Sequence, residues 1–133
     1  MSTTFDQYFD YFKGYDVVLY WGNVSDVDSV NYAHETTGTE TEFSSASYVV
    51  DKVMDRCRIR VATNVSWPNT YDKPNAVRIR YTAGFGDAAD VPEDIKQAVL
   101  MLVAEMYEKR ENGIKQLPTV VEWMLAPYKL WHI

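Results

Sequence analysis

The chain has 133 residues, a length that fits one domain burying about two-thirds of the surface its unfolded form exposes. Apolar residues make up 47%, which excludes a disordered polymer, and the longest apolar run, 98–104, is far too short to span a bilayer. A net charge of −6 makes a poor grip for DNA, because affinity there rests largely on neutralised phosphates. The amino terminus, Met1-Ser2-Thr3-Thr4-Phe5-Asp6, has neither the basic region nor the apolar core of a signal peptide. A single cysteine, Cys57, excludes an internal disulfide and suits a reducing cytoplasm.

The charge is unevenly spread. Residues 1–51 hold nine acids against Lys13 alone, a balance of −8, whereas residues 52–133 hold ten acids and twelve bases, a balance of +2. Two readings follow: a solvated acidic surface, or one end that repels polyanions while the other meets an acidic partner.

In chain order, Phe5, Tyr8, Phe9 and Phe12 fall at i, i+3, i+4 and i+7, a helical period, while their aromatic content favours a strand. Residues 16–20, 29–33 and 43–50 read as strands, separated by turn chemistry at Gly22-Asn23 and Thr36-Thr37-Gly38-Thr39. The clearest strands are 57–62 and 76–83. Cys57, Ile59 and Val61 alternate with Arg58 and Arg60, and Val77, Ile79 and Tyr81 alternate with Arg78 and Arg80. Turn formers around Trp67-Pro68-Asn69 and Asp72-Lys73-Pro74-Asn75 join them. From Pro92 the period becomes helical. A helix is expected to about Glu111, ending near Asn112-Gly113, with a stripe of Ile95, Ala98, Val99, Leu102, Val103 and Met106. Leu100, Met101 and Ala104 add apolar surface on its other side, which asks for a second packing partner. A short helix over 119–125 stops at Pro127, and the tail Tyr128-Lys129-Leu130-Trp131-His132-Ile133 is apolar with nothing later to cover it. The expected fold is α+β: a small, mostly antiparallel β-sheet domain, one long helix, a short helix and an extended C-terminal tail.

Chemistry-bearing patterns are weak. Gly84-Phe85-Gly86 lacks a third glycine and a Gly-Lys-Ser/Thr, and Asp87, Asp90, Glu93 and Asp94 crowd the place an anion would take. His34-Glu35 has no second histidine at helical spacing, Cys57 lies on the apolar parity of its strand, and no serine sits in a nucleophile elbow. No catalytic, metal or cofactor residue is nominated. The arginines are more informative: Arg56, Arg58 and Arg60 share one face of their strand, and Arg78 and Arg80 share one face of theirs. If the two strands pair, like charges lie opposite and need acids between them. Those acids come either from this chain's own Asp and Glu residues or from a neighbouring subunit; a nucleic-acid groove is the third option. Trp21 and Trp67 fall near turns where they clamp the sheet, and Trp131 is a candidate docking anchor.

One series of residues carries further: Trp67-Pro68, Pro74-Asn75-Ala76-Val77, Tyr81-Thr82-Ala83-Gly84-Phe85-Gly86, Val91-Pro92-Glu93-Asp94-Ile95-Lys96, Tyr107-Glu108-Lys109-Arg110-Glu111 and Leu125-Ala126-Pro127-Tyr128. In order and spacing it resembles the head–tail connector (adaptor) proteins of tailed bacteriophages and prophages, in the branch with a β-domain beside a central helix. The likeness runs from Leu19 to the C-terminus and is strongest over 66–128. It implies a single connector domain over 1–133, with a β-rich part at 1–86, a helical part at 91–126 and an extended tail at 127–133.

The resemblance also implies a non-enzymatic virion protein at the head–tail junction, assembled in the host cytoplasm. Such proteins form a ring, usually of twelve copies, beneath the portal protein, and DNA passes through the lumen without specific binding. The tail Tyr128 to Ile133 would dock on the portal. Arg58, Arg60, Arg78, Arg80, Leu100 and Met101 would make subunit contacts, and the far end would meet a neck or tail completion protein. A head-closure or tail-completion protein one tier below is the alternative in the same setting; a monomeric anion- or protein-binding module is the alternative from another class. Members of that family begin with a pair of helices before the β-domain, whereas this sequence opens on the first strand.

Overall fold

A two-residue alternation of inward apolar and outward polar side chains shapes residues Met1–Phe85 of the computed structural model, which describes residues 1–110 and 116–130. Seven strands form in this unit: β1 (Ser2–Phe9), β2 (Asp16–Gly22), β3 (Val24–Ala33), β4 (Glu40–Glu42), β5 (Tyr48–Asp51), β6 (Arg56–Val61) and β7 (Val77–Gly84). Every pairing is antiparallel, and two sheets result, in the orders β1-β7-β3-β4 and β2-β6-β5. The single sheet expected from the sequence is therefore two, with β6 and β7 in different sheets rather than side by side. All of these strands except β4, which is Glu40-Thr41-Glu42, carry apolar side chains on one face, and stacking the sheets buries both sets in one cluster. That cluster holds Val17, Leu19, Tyr48, Cys57 and Ile59 from one sheet against Val24, Val30, Val77, Ile79, Tyr81 and Ala83 from the other.

The segment at the amino terminus is a strand. Phe5, Gln7 and Phe9 point inward while Asp6 and Tyr8 point out, a period of two that overrides the helical spacing of the aromatics. Residues 43–50 are not one strand. The chain bends through a one-turn 3₁₀ segment, Ser45–Ser47, and so passes from the edge of one sheet at β4 to the edge of the other at β5.

The remaining edges, β1 and β2, meet through side chains. The β2–β6 register shifts between Val18 and Gly22. At that break the Tyr20 amide donates to Gln7 Oε1 (2.8 Å) and the Trp21 amide donates to the Tyr81 hydroxyl (3.3 Å). Tyr81 in turn donates to Gln7 Oε1 (3.1 Å), and Gln7 Nε2 donates to the Val18 carbonyl (3.4 Å). Aromatic stacking reinforces both corners: Phe5 lies on Trp21, and Phe12 lies flat on Trp67 with centroids 4.4 Å apart. Gly84 closes β7 at φ +130°, where an added Cβ would stand 2.6 Å from the Met1 carbonyl oxygen, so no side chain fits there.

The second unit, Gly86–Ile133, holds α1 (Glu93–Glu108) and α2 (Thr119–Leu125). Pro92 caps α1, whose first turn carries Glu93 and Asp94 at the positive end of the dipole. The helix ends at Glu108, earlier than the expected stop, and residues 111–115 lie outside the described residues. The two helices contact each other, yet each has one buried residue, Ala98 in α1 and Val121 in α2. After α2 a 3₁₀ turn, Ala126–Tyr128, replaces the start of the expected extended tail.

Replacing Tyr81 by Phe removes the hydroxyl that joins β7 to the β1–β2 corner while keeping the ring. We expect a loss of about 1–2 kcal/mol in urea unfolding followed by tryptophan fluorescence, from an amide and a carboxamide left short of a partner. A change near zero would mean that packing alone holds the corner.

Candidate functional site

The four arginines nominated from sequence lie on the outer faces of the two sheets, and each meets a carboxylate of this same chain. Arg80, on β7, directs Nε and Nη2 to Asp6 of β1 at 2.7 and 2.8 Å, a two-pronged pair across adjacent strands. Arg60, on β6, grips Asp16 of β2 the same way at 2.5 and 2.9 Å. Arg58 reaches Asp51 of β5 at 2.7 Å and Asp16 at 3.7 Å. Arg78 pairs with Glu40 of β4, which also accepts from Asn31 Nδ2 at 2.7 Å. The guanidiniums thus stand on central strands and the carboxylates on edge strands, adjacent in three cases and, for Arg78 and Glu40, one strand apart across β3, an arrangement that also places charge on the edges. Of the three sources of neutralising groups, the one observed is the chain's own acids. The charge imbalance between residues 1–51 and the rest is largely this pairing seen in one dimension.

The carboxylates respond accordingly. Asp6 and Asp16 are held below the ordinary carboxylate range chiefly by the hydrogen bonds from Arg80 and Arg60. Asp51 is lowered first by the Val53 amide and then by Arg58, and Glu40 first by Asn31 and then by Arg78. Arg60 and Arg80 are raised by the same bonds. In both pairs the guanidinium is well exposed to solvent and the carboxylate partly so, and each pair contributes modestly to stability.

The apolar candidates sit on the helices. Leu100 and Met101 are 67% and 41% exposed on α1. The expected core stripe is only partly covered: Ala98 is buried and Ile95 and Leu102 half-buried, whereas Val99, Val103 and Met106 are exposed. Sequence reasoning missed Trp123, 73% exposed on α2. The signal was available, because Val121 and Leu125 define the inner side of that short helix and Trp123 falls off it. Of the proposed docking tail, Tyr128 is part-exposed within the 3₁₀ turn, Lys129 is extended and Leu130 half-buried. Trp131, His132 and Ile133 lie outside the described residues.

The other patterns are structural where they fall. His34 Nδ1 accepts from the Thr36 amide (3.3 Å) in the hairpin turn, and Glu35 accepts from Asn69 (3.1 Å). The Gly84-Phe85-Gly86 turn leads into a reciprocal cap between Asp87 and Asp90. Cys57 is buried, and burial pushes its thiol up, away from the reactive thiolate. Among the described residues no group of His, Cys, Asp and Glu is arranged to hold a metal ion, and no helix is long and apolar enough to cross a membrane.

No family model and no curated protein matches this chain. Solved structures do. One is a chain in the neck of a native GTA particle computed with C12 symmetry, with a TM-score of 0.77 and 25% identity over 99% of this chain and 71% of that one. A chain in the neck of an empty GTA particle computed with C6 symmetry gives 0.76 and 24%, over 99% and 68%. A third, from the virion of a native gene transfer agent particle, gives 0.76 and 24%, over 98% and 66%. This chain therefore has the fold of those neck and virion chains and spans about two-thirds of their length.

The lowered carboxylates set an acid limit on stability. Unfolded Asp and Glu titrate near 3.8 and 4.5, and the folded values lie lower, so the unfolded chain binds more protons in that window. Stability from the pairs is complete above the unfolded values and is lost as pH falls through the folded ones. The urea midpoint is expected to stay flat from about pH 7 to 5 and to fall below about pH 4, with a shallower acid limb in the Asp6→Asn, Asp16→Asn double variant. An unchanged acid limb in that variant would remove these pairs from the account.

Proposed function

We propose that this chain is a structural, non-enzymatic virion protein that forms the adaptor ring between the portal and the neck or tail of a tailed phage or phage-like particle. The observation that carries this reading is the fold shared along 99% of the chain with a neck chain of a particle computed with C12 symmetry. The surface of α1 supports it. A 16-residue helix with one buried residue and exposed Val99, Leu100, Met101, Val103 and Met106 leaves apolar area that a neighbouring copy would cover. In a ring of twelve, Leu100 and Met101 make that contact. Arg58, Arg60, Arg78 and Arg80 enter the subunit surface as pairs already neutralised by the chain's own acids, not as bare cations awaiting a neighbour's.

The C-terminal segment from Tyr128 docks on the portal, and the opposite end receives the neck or tail completion protein. Assembly takes place in the host cytoplasm. DNA slides through the lumen without specific binding, since each copy adds six negative charges and most of its arginines are occupied.

Mass photometry of the purified protein, alone and mixed with the portal assembly of the same genome, tests the reading. A ring-sized gain in mass on the portal, lost on deleting residues 128–133 and weakened by Leu100→Glu with Met101→Glu, is the expected result. A folded monomer that ignores the portal would overturn it.

A further inference from the structure

A cleft of about 350 Å³ opens between the segment after β1 and the β6–β7 connection, lined by Asp10, Tyr11, Tyr71, Asp72 and Lys73 among others. Its walls are fixed from behind. The Asn75 amide donates to Asp10 Oδ1 (2.9 Å), with Asn75 itself at φ +56°. The Tyr71 amide donates to the Ala33 carbonyl (3.0 Å), and the Tyr71 ring lies against Gly38, where an added Cβ would stand 3.4 Å from it. Lys73, the one cation among the described lining residues, directs Nζ to the Gly38 carbonyl (3.3 Å). Asp72 and the Tyr11 hydroxyl have no hydrogen-bond partner among the described residues, and Asp10 Oδ2 has none either. The two tyrosines are 58% and 42% exposed. Two tyrosines and two carboxylates with spare oxygens thus line one opening, at the lower end of the size range of ligand clefts.

That combination has a specific complement. Tyrosine faces attract cations through the ring quadrupole, and a planar guanidinium both stacks on a ring and two-prongs a carboxylate. An anion would meet two carboxylates, and a purely apolar group would leave them desolvated. We infer that this cleft receives an arginine side chain from a partner polypeptide, a contact separate from the ring surface proposed above and independent of it. None of the residues involved belongs to the arginine–carboxylate pairs or to the helices.

The test is ¹H–¹⁵N NMR titration of the full chain with N-acetyl-L-arginine amide, and in parallel with its neutral isostere N-acetyl-L-citrulline amide, the capped lysine and free L-arginine. Saturable shifts at the amides of Tyr11, Tyr71, Asp72 and Lys73 are expected with the capped arginine and not with the citrulline. Tyr11→Ala should weaken binding about two- to fivefold, as expected for one partly exposed cation–π contact, and adding Asp72→Asn should weaken it further. Both positions are exposed, so the variants keep the dispersed spectrum of the folded protein. Equal shifts with citrulline, or none with arginine, overturn the inference. Equal binding of the capped lysine overturns the guanidinium assignment, and tighter binding of free arginine overturns a polypeptide source.

Discussion

The β-unit depends on one buried tyrosine hydroxyl. Tyr81 sits wholly buried in the middle of β7, flanked by Phe5 of β1 and Val27 of β3, and its ring belongs to the apolar cluster. A phenol there needs a partner, because an unpaired hydroxyl in such a place costs about 1–3 kcal/mol. It finds two, the Gln7 carboxamide and the Trp21 amide, and both lie where β2 loses its regular register with β6. Burial raises the phenol's pKa, so the group stays neutral and able to donate. The break in one ladder and the buried polar group of another strand thus satisfy each other. With the chain itself crossing between sheets at β4 and β5, the two sheets are tied at both pairs of edges.

With the interior closed in this way, the outer faces are free to carry charge. The pleat that sends Ile59, Ile79 and Tyr81 inward sends Arg58, Arg60, Arg78 and Arg80 outward, and no register of these strands can separate the two consequences. Edge strands bearing Asp6, Asp16, Glu40 and Asp51 then accept the arginines. A one-residue slip of β1 on β7 would turn Asp6 toward the interior and Phe5 toward water. The ion pairs are individually weak, but they favour the same register as the core does.

The parts readable from sequence are those that depend on local pattern. The alternations of β6 and β7, the cap at Pro92 and the turn at Thr36 to Thr39 all follow from spacing and residue type, and α2 begins at Thr119 and ends at Leu125 as the pattern predicts. What local pattern could not carry is partnership over distance. Nothing near Arg80 announces that its acid lies 74 residues away at Asp6, so the arginines read as equally open to a neighbour's acids. The same limit hid the division into two sheets, because β6 and β7 look like natural neighbours until β2, β5, β1 and β3 claim their edges. The aromatic run Phe5 to Phe12 carried two periods at once, and tertiary pairing with β7 decided between them. The arginine cleft was unreadable for a related reason: its walls come from residues 10–11 and 70–74, and neither segment is unusual alone.

The helical unit obeys a different balance. A 16-residue helix can bury a stripe along its length, yet α1 buries Ala98 alone, and α2 is barely two turns long. Isolated helices of this length are marginal in water, because a short helix rarely recovers the cost of its first turn. Holding apolar side chains such as Val99, Leu100, Val103 and Met106 in water adds no stabilisation to offset that cost. A sequence selected only for a stable monomer would place Lys or Glu at those positions at no loss of helix propensity. Their apolar character, on a unit with so little interior of its own, is the feature on which the proposed contact with neighbouring copies rests. The β-unit shows the opposite economy, its charges matched within the chain and its buried tyrosine satisfied. The two units thus differ in kind: the β-unit covers its interior and pairs its charges within the chain, whereas the helical unit leaves most of its apolar side chains exposed.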